Sequence, residues 1–267
     1  MKDTPKTDHS FHIKNIDLNE TLQREINLAQ TIQMTLLNGD NPSFESGELS
    51  GLSLPARLIG GDYYDFYKLK NGCIRIVIGD VMGKGIPAAM LMILTRGAFR
   101  SASENTATPG ATLTSMNQAL YKDLRKLKSF VTLFCADLDP RTGVLTYSSA
   151  GHNLPLHVHN KANTVTELPK VKGIMLGGLP DQNYGERQIQ LDKLDVVLFY
   201  TDGLIDAHNN MNEFFSLATL KEVALKQKDH SALIMQTEIM NSVHQFINNI
   251  PQKDDITIVI LKLSNNL

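Results

Sequence analysis

Beyond residue 48 the chain is punctuated. Short apolar runs alternate with clusters of Gly, Pro, Asp and Asn, and the period inside each run separates strands from helices. Leu52–Arg57 and Tyr63–Leu69 read as strands, and Cys73–Gly79 alternates apolar residues before ending in an aspartate. Pro87 then opens a helical stretch to about Ser103, since proline is tolerated in a first helical turn. Thr108-Pro109-Gly110 opens a second helix, to about Leu127. Strand-like runs follow at Phe130–Leu138, Val144–Ser149, Leu154–His159 and Thr164–Leu168, and Asp139-Pro140-Arg141-Thr142-Gly143 makes a hairpin turn between the first two. Further strands are expected at Arg187–Leu191 and Val196–Tyr200, helices at Glu213–Lys226 and Ser231–Asn248, and a last strand at Ile256–Leu263. Strands with helix pairs inserted at two points are an α+β order, not the strict alternation of a parallel α/β fold.

Ahead of this body lies a different pattern. Leu18, Leu22, Ile26, Ala29, Ile32 and Leu36 recur at helical spacing, and Asp17 with Glu20 fits a capping box that would start the helix at Asp17. The segment ends in Asn38-Gly39-Asp40-Asn41-Pro42, which is turn chemistry. The apolar stripe must be buried either on its own domain or against a second chain. The chain thus divides into a disordered tail at 1–16, an N-terminal linker or regulatory helix at 17–42 and a main domain at 43–267.

Composition narrows the function classes. A hydrophobic share of 42% in 267 residues suffices for a real core. The formal net charge of -2 and the lack of a basic stripe argue against a nucleic-acid partner or an anionic membrane. No signal-peptide core or membrane-spanning run occurs, so a soluble, cytoplasmic protein is expected. Cys73 and Cys135 sit in apolar runs without a CxxC pair, and both are expected as buried, reduced thiols.

The candidate chemistry is carried by acids at strand ends. Asp80 follows Ile74–Gly79, Asp202 follows Val196–Thr201, Asp254 and Asp255 precede Ile256–Leu261, and Asp62 follows Gly60-Gly61. Converging carboxylates repel one another unless a cation sits between them, and Mg²⁺ or Mn²⁺ prefers such oxygen ligands. From the residues alone, a metal site and a set of independent turns are equally good readings.

The ordered series GGDYYDF (60–66), IGDVMGKGIPAAMLM (78–92), SFVTLFCADLDPRTGVLTYSSAGHNLPL (129–156), IMLGGL (174–179), VVLFYTDGLIDA (196–207) and DDITIVIL (254–261) resembles the SpoIIE/RsbU-like bacterial branch of the PP2C metal-dependent serine/threonine phosphatases. The resemblance implies a PP2C-like four-layer αββα sandwich, two antiparallel sheets flanked by helices. It also implies two Mn²⁺ or Mg²⁺ ions per active site. Asp80 would bridge the two ions, and Asp202 and Asp254 would complete the first site. The Val81 carbonyl and Asp62 would serve the second, with Asp255 behind the ligands and Gly61 beside them. Asp80 and Asp202 are the residues on which catalysis would depend. A hydroxide held between ions ~3.5–4 Å apart would attack phosphorus in line with the leaving serine or threonine oxygen. His152 matches a family signature as proton donor or, more in keeping with its place between strands, as a structural residue. Asp65 reads as a further ligand or, in better keeping with its place, a strand-surface acid, Arg57 as solvent-facing, Lys84 as a phosphate-attracting or exposed loop residue, and Met90 and Met92 as core filler. The family implies a phosphorylated STAS-domain protein as substrate, the antagonist of an anti-sigma kinase. Helices within 86–127 would be a switch, with an upstream sensor or activator and a homodimer through 17–37.

Overall fold

A computed structural model describes residues 9–37 and 44–265, with side chains from residue 19 onward. In chain order the elements are α1 (His9–Leu37), β1 (Gly47–Leu54), β2 (Tyr63–Lys68), β3 (Ile74–Val81), α2 (Ile86–Asn105), α3 (Pro109–Lys126), β4 (Val131–Asp139) and β5 (Val144–Ala150). They continue with β6 (Leu156–His159), β7 (Thr164–Glu167), β8 (Arg187–Gln190), β9 (Val196–Tyr200), α4 (Asp202–Ile205), α5 (Ser216–Lys226), α6 (Ala232–Ile247) and β10 (Ile256–Leu263).

The strands form two five-stranded antiparallel sheets, ordered β1-β10-β9-β6-β7 and β2-β3-β4-β5-β8. Period-two alternation sorts their side chains into three cores. Ile74, Ile76 and Ile78 of β3 meet Val197, Phe199, Val259 and Leu261 of the other sheet in the central core. Val77 and Val81 face the opposite way, onto Met92, Phe99, Leu113 and Met116 of α2 and α3. Val196, Leu198, Ile258 and Ile260 pack on Leu220, Met235 and Ile239 of α5 and α6. The layers are therefore helices, sheet, sheet, helices, as the sequence resemblance implied. Burial of these apolar faces, at about 25 cal/mol per Å² removed from water, is the main favourable term in holding the layers together.

Several local expectations need correction. The first helix begins at His9, not Asp17, so Asp17 lies inside it rather than at its start. The expected tail falls partly on this helix; residues 1–8 and the turn at residues 38–43 lie outside the described residues. β1 is Gly47–Leu54 rather than Leu52–Arg57, because pairing with β10 from Gly47 opposite Leu263 to Leu54 opposite Ile256 recruits the polar segment 47–51. Residues 213–215 precede α5, with His208 and Phe214 forming an isolated bridge instead. Cys135 is buried, whereas Cys73 is partly exposed just before β3. Met92 is core, but Met90 points outward at 69% exposure, because two residues along a helix turn the side chain through roughly 200°. Among the described residues no helix is long and apolar enough to cross a membrane.

Candidate active site

Register brings the acids together. Tyr63 lies opposite Gly79, so Asp62 immediately before β2 and Asp80 near the end of β3 leave their sheet at the same edge. Tyr200 lies opposite Ile258, so Asp202 after β9 and Asp254-Asp255 before β10 leave the other sheet together. Hydrogen bonds tie the two edges to each other. Thr201 Oγ1 donates to Asp62 Oδ2 at 2.7 Å, and the buried Asp255 carboxylate accepts from Gly61 N at 2.6 Å and Ala56 N at 2.7 Å. Asp255 thus fastens the 56–61 loop and has both oxygens engaged. Asp80 shares the parity of Ile74, Ile76 and Ile78, so it emerges at the rim of the central core.

Backbone geometry is as specific. Val81 has a buried side chain, so only its carbonyl can serve the site. A Cβ on Gly61 would lie 3.0 Å from that carbonyl oxygen and 2.9 Å from the Ala88 Cβ. Glycine is required there for the close approach. Asp202 opens the four-residue helix α4 rather than a simple turn, and Gly203 beside it lies against the Asp255 carbonyl with no room for a side chain.

The electrostatics are those of a like-charge cluster. Burial pushes Asp62 well above the usual carboxylate range; Asp80 and Asp255 add repulsion, which the Thr257 and Thr201 hydroxyls oppose. Asp80 is pushed up to about 7, first by burial, then by Asp202, Asp254 and Asp255, with Lys84 pulling it down. Asp202, although open to solvent on one side, is raised by the protein packed around it and by Asp254 and Asp206. Lys84 is no free loop residue: its ammonium sits 2.8 Å from Asp254 Oδ2 and also donates to the Lys253 carbonyl. An oxygen-only set of mutually repelling acids fits a hard divalent cation. The acids are spread more widely than a closed single-ion cage. Among the described residues, only His157, His159 and Asp195 bring three ligand atoms within 4.8 Å of one another. That trio lies at the opposite end of β9, and its members are already bonded: His157 Nε2 to Asp195 at 2.7 Å, His159 Nε2 to Thr166 at 2.9 Å.

His152 is buried, with Nδ1 2.9 Å from Thr132 Oγ1, and Thr132 is the register partner of Asp80. Burial pushes its pKa down to about 4, so it is neutral at pH 7 and has no imidazolium proton to give. Arg57 is exposed, as expected, near Gly85. Asp65 is neither ligand nor surface acid. It faces α2, where it is buried against a two-bonded Arg100 and, at 3.6 Å, Arg96.

One participant is missing from the candidates named in the sequence. Gln33 of α1 is buried at the domain surface and holds Gly60 from both sides: Nε2 donates to Gly60 O at 2.7 Å, and Gly60 N donates to Oε1 at 3.1 Å. It lies on the stripe face of α1, four residues after Ala29 and seven after Ile26, so the available signal was a polar side chain at an apolar position of the helical repeat. Through Gly60 the N-terminal helix grips the loop that delivers Asp62.

The sequence profile described as stage II sporulation protein E (SpoIIE) matches residues 70–264, more than half of the chain. The chain belongs to the SpoIIE family. Within that family, the SpoIIE/RsbU-like branch of the PP2C-type serine/threonine phosphatases, it is 31% identical over 245 residues to the phosphoserine phosphatase RsbU of Bacillus subtilis (strain 168), spanning 92% of this chain and 72% of RsbU. Its fold is similar to the SiaA-PP2C domain of Pseudomonas aeruginosa, with TM-score 0.78 at 20% identity, covering 92% of this chain and 98% of that one. It is also similar to RsbX in complex with magnesium, with TM-score 0.61 at 19% identity, covering 84% of this chain and 99% of that one.

Proposed function

We propose that this SpoIIE-family chain hydrolyses phosphoserine or phosphothreonine on a protein, with two Mn²⁺ or Mg²⁺ ions held by Asp62, Asp80, the Val81 carbonyl, Asp202 and Asp254. The observation that carries the reading is the convergence of four strand-end carboxylates from two sheets, with Asp80 raised to about 7 by burial and by its neighbours. Ions bound there supply charge neutralisation and a lowered pKa for water. The protein's own part is positioning. Asp255 pins the Gly61 loop, Thr201 orients Asp62, and neutral His152 braces Thr132 beside Asp80. Asp80 and Asp202 are the acids on which turnover depends.

The substrate we propose is a phosphorylated STAS-domain antagonist of an anti-sigma factor, in a partner-switching pathway. Regulation runs through α1, whose Gln33 grips Gly60, through α2, fastened to β2 by Asp65 with Arg96 and Arg100, and through α3, which packs beside α2. Leu22, Leu28 and Ile32 of α1 are exposed, which favours a second copy of the chain as the surface that covers them. An upstream sensor or activator would act on the same helix.

The test is phosphate release from p-nitrophenyl phosphate and from a phosphoserine STAS protein, with Mn²⁺, with EDTA and in Asp80→Asn. Turnover that needs both Mn²⁺ and Asp80 is expected. Turnover that survives EDTA or the substitution overturns the assignment. Light scattering reads the dimer; a monomer at high concentration overturns that part alone.

A further inference from the structure

Immediately beside the acids is a cavity of about 270 Å³, with Gly203 and Asp254 at one edge and His208, Phe214, Ile247 and Ile250 among its walls. Phe214 is 61% exposed, and Met211 on the same loop is exposed as well. An exposed phenylalanine is an ordinary loop feature when its loop is loose, but this loop is tied. Asn209 Oδ1 accepts from Met211 N at 2.9 Å and Glu213 N at 3.1 Å, and Asn209 Nδ2 donates to Glu213 Oε2 at 2.8 Å. Phe215 N donates to Ala207 O at 2.7 Å, and its ring is buried edge-on against Phe246. The hairpin from 207 to 215 therefore displays Phe214 in a defined place, at little ordering cost to whatever binds it.

We infer that this cavity docks an apolar side chain that neighbours the phosphoserine of the protein substrate, and so selects sequence around the phosphorylated residue. The inference rests on the phosphatase reading above. Asp254 belongs both to the acid cluster and to the cavity edge. A phosphoserine held at the acids places the next residues, at about 3.3–3.6 Å each, over the cavity mouth. The volume suits one aliphatic or aromatic side chain, and the walls Phe214, Ile247 and Ile250 offer it apolar contact. This is continuous with the catalytic surface, unlike the exposed face of α1, which lies on a separate helix.

The experiment uses phosphoserine nonapeptides carrying leucine or alanine at each position from three before to three after the phosphoserine. Each kcat/KM is expressed relative to that for p-nitrophenyl phosphate, which has no side chain to dock. At one position leucine is expected to exceed alanine by about tenfold, the scale of a hydrophobic pocket. In Phe214→Ala, a change at an exposed site that spares the core, and in Ile250→Ser, that preference is expected to fall below about twofold. Absence of any preference, or a preference kept in both variants, overturns the docking site while leaving the phosphatase reading intact. Failure to hydrolyse either p-nitrophenyl phosphate or any peptide with Mn²⁺ overturns both. A dimer that dissociates on Phe214→Ala makes a second copy the occupant and overturns the docking site.

Discussion

Strand β3 carries two ionisable residues five apart, Arg75 buried and Asp80 half-buried, and they are handled in opposite ways. Arg75 is fully buried toward the helices, yet its guanidinium meets Asp137 through Nε and Nη2, both at 2.7 Å, and reaches Thr112 Oγ1 at 2.6 Å and Thr106 Oγ1 at 3.2 Å. Asp80 emerges at the other end of the strand among Asp202, Asp254 and Asp255, with Lys84 opposing them. The first site is closed: a charge is buried with its opposite, and its donors are satisfied. The second is open, because like charges have been gathered and the fold by itself does not neutralise them. Stability is served by the first arrangement. The second makes sense only if something positive arrives.

The comparison can be broken most decisively at Asp80. Asp80→Asn is expected to lower Mn²⁺-dependent hydrolysis of p-nitrophenyl phosphate by about 10³-fold or more. The metal-free variant should melt no lower than the parent at pH 7.5. A variant that melts well below the parent would make Asp80 a structural residue like Arg75. At the closed site the expectation reverses. Arg75→Met leaves Asp137 buried and unpaired, and urea denaturation should record a loss of about 3–5 kcal/mol, with turnover per folded molecule retained. The double variant Arg75→Met, Asp137→Leu should recover much of that loss. A cost near zero for the single variant would mean that the pair contributes little.

A smaller effect separates the sites by pH. The folded-state pKa of Asp80 is about 7, against about 4 in an unfolded chain. Between these values the folded protein holds a proton that the unfolded one has lost. The stability due to that proton is complete below about pH 4 and disappears as pH rises through 7. The melting temperature of metal-free protein should therefore decline across this window more steeply than that of Asp80→Asn. Equal slopes would contradict the coupling. The smallest expected effect is at Gln33. Gln33→Ala removes two buried hydrogen bonds to Gly60, at about 1–2 kcal/mol of stability. It should raise the Mn²⁺ concentration for half-maximal activity several-fold while leaving the rate at saturation near that of the parent. An unchanged Mn²⁺ requirement would disconnect α1 from the site.

Much of this was legible along the chain. Apolar alternation in β3, β9 and β10, and the helical stripes of α3 and α6, reflect local periodicities that a sequence displays directly. Where the reading slipped, partners outside the segment had decided the outcome. The polar start of β1 is a strand because β10 lies beside it, and its Ser50 hydroxyl finds Gln236 of α6 at 2.6 Å. Asp65 looked like a surface acid because the arginines that bury it come from a helix some thirty residues later. Lys84 looked free because Asp254, its partner, is near the other end of the chain.

By itself the sequence determined most of the strands and helices, the carboxylates at strand ends and the glycines that let backbone approach them. Those are properties of neighbouring residues and of side-chain chemistry. Only the tertiary structure decided that Asp62, Asp80, Asp202 and Asp254 share one edge of the sandwich, that Gln33 grips their loop and that His152 is buried and neutral. The reason is physical: convergence depends on the register of strands in two separate sheets, and a pKa depends on burial and distance, neither of which is a function of position along the chain.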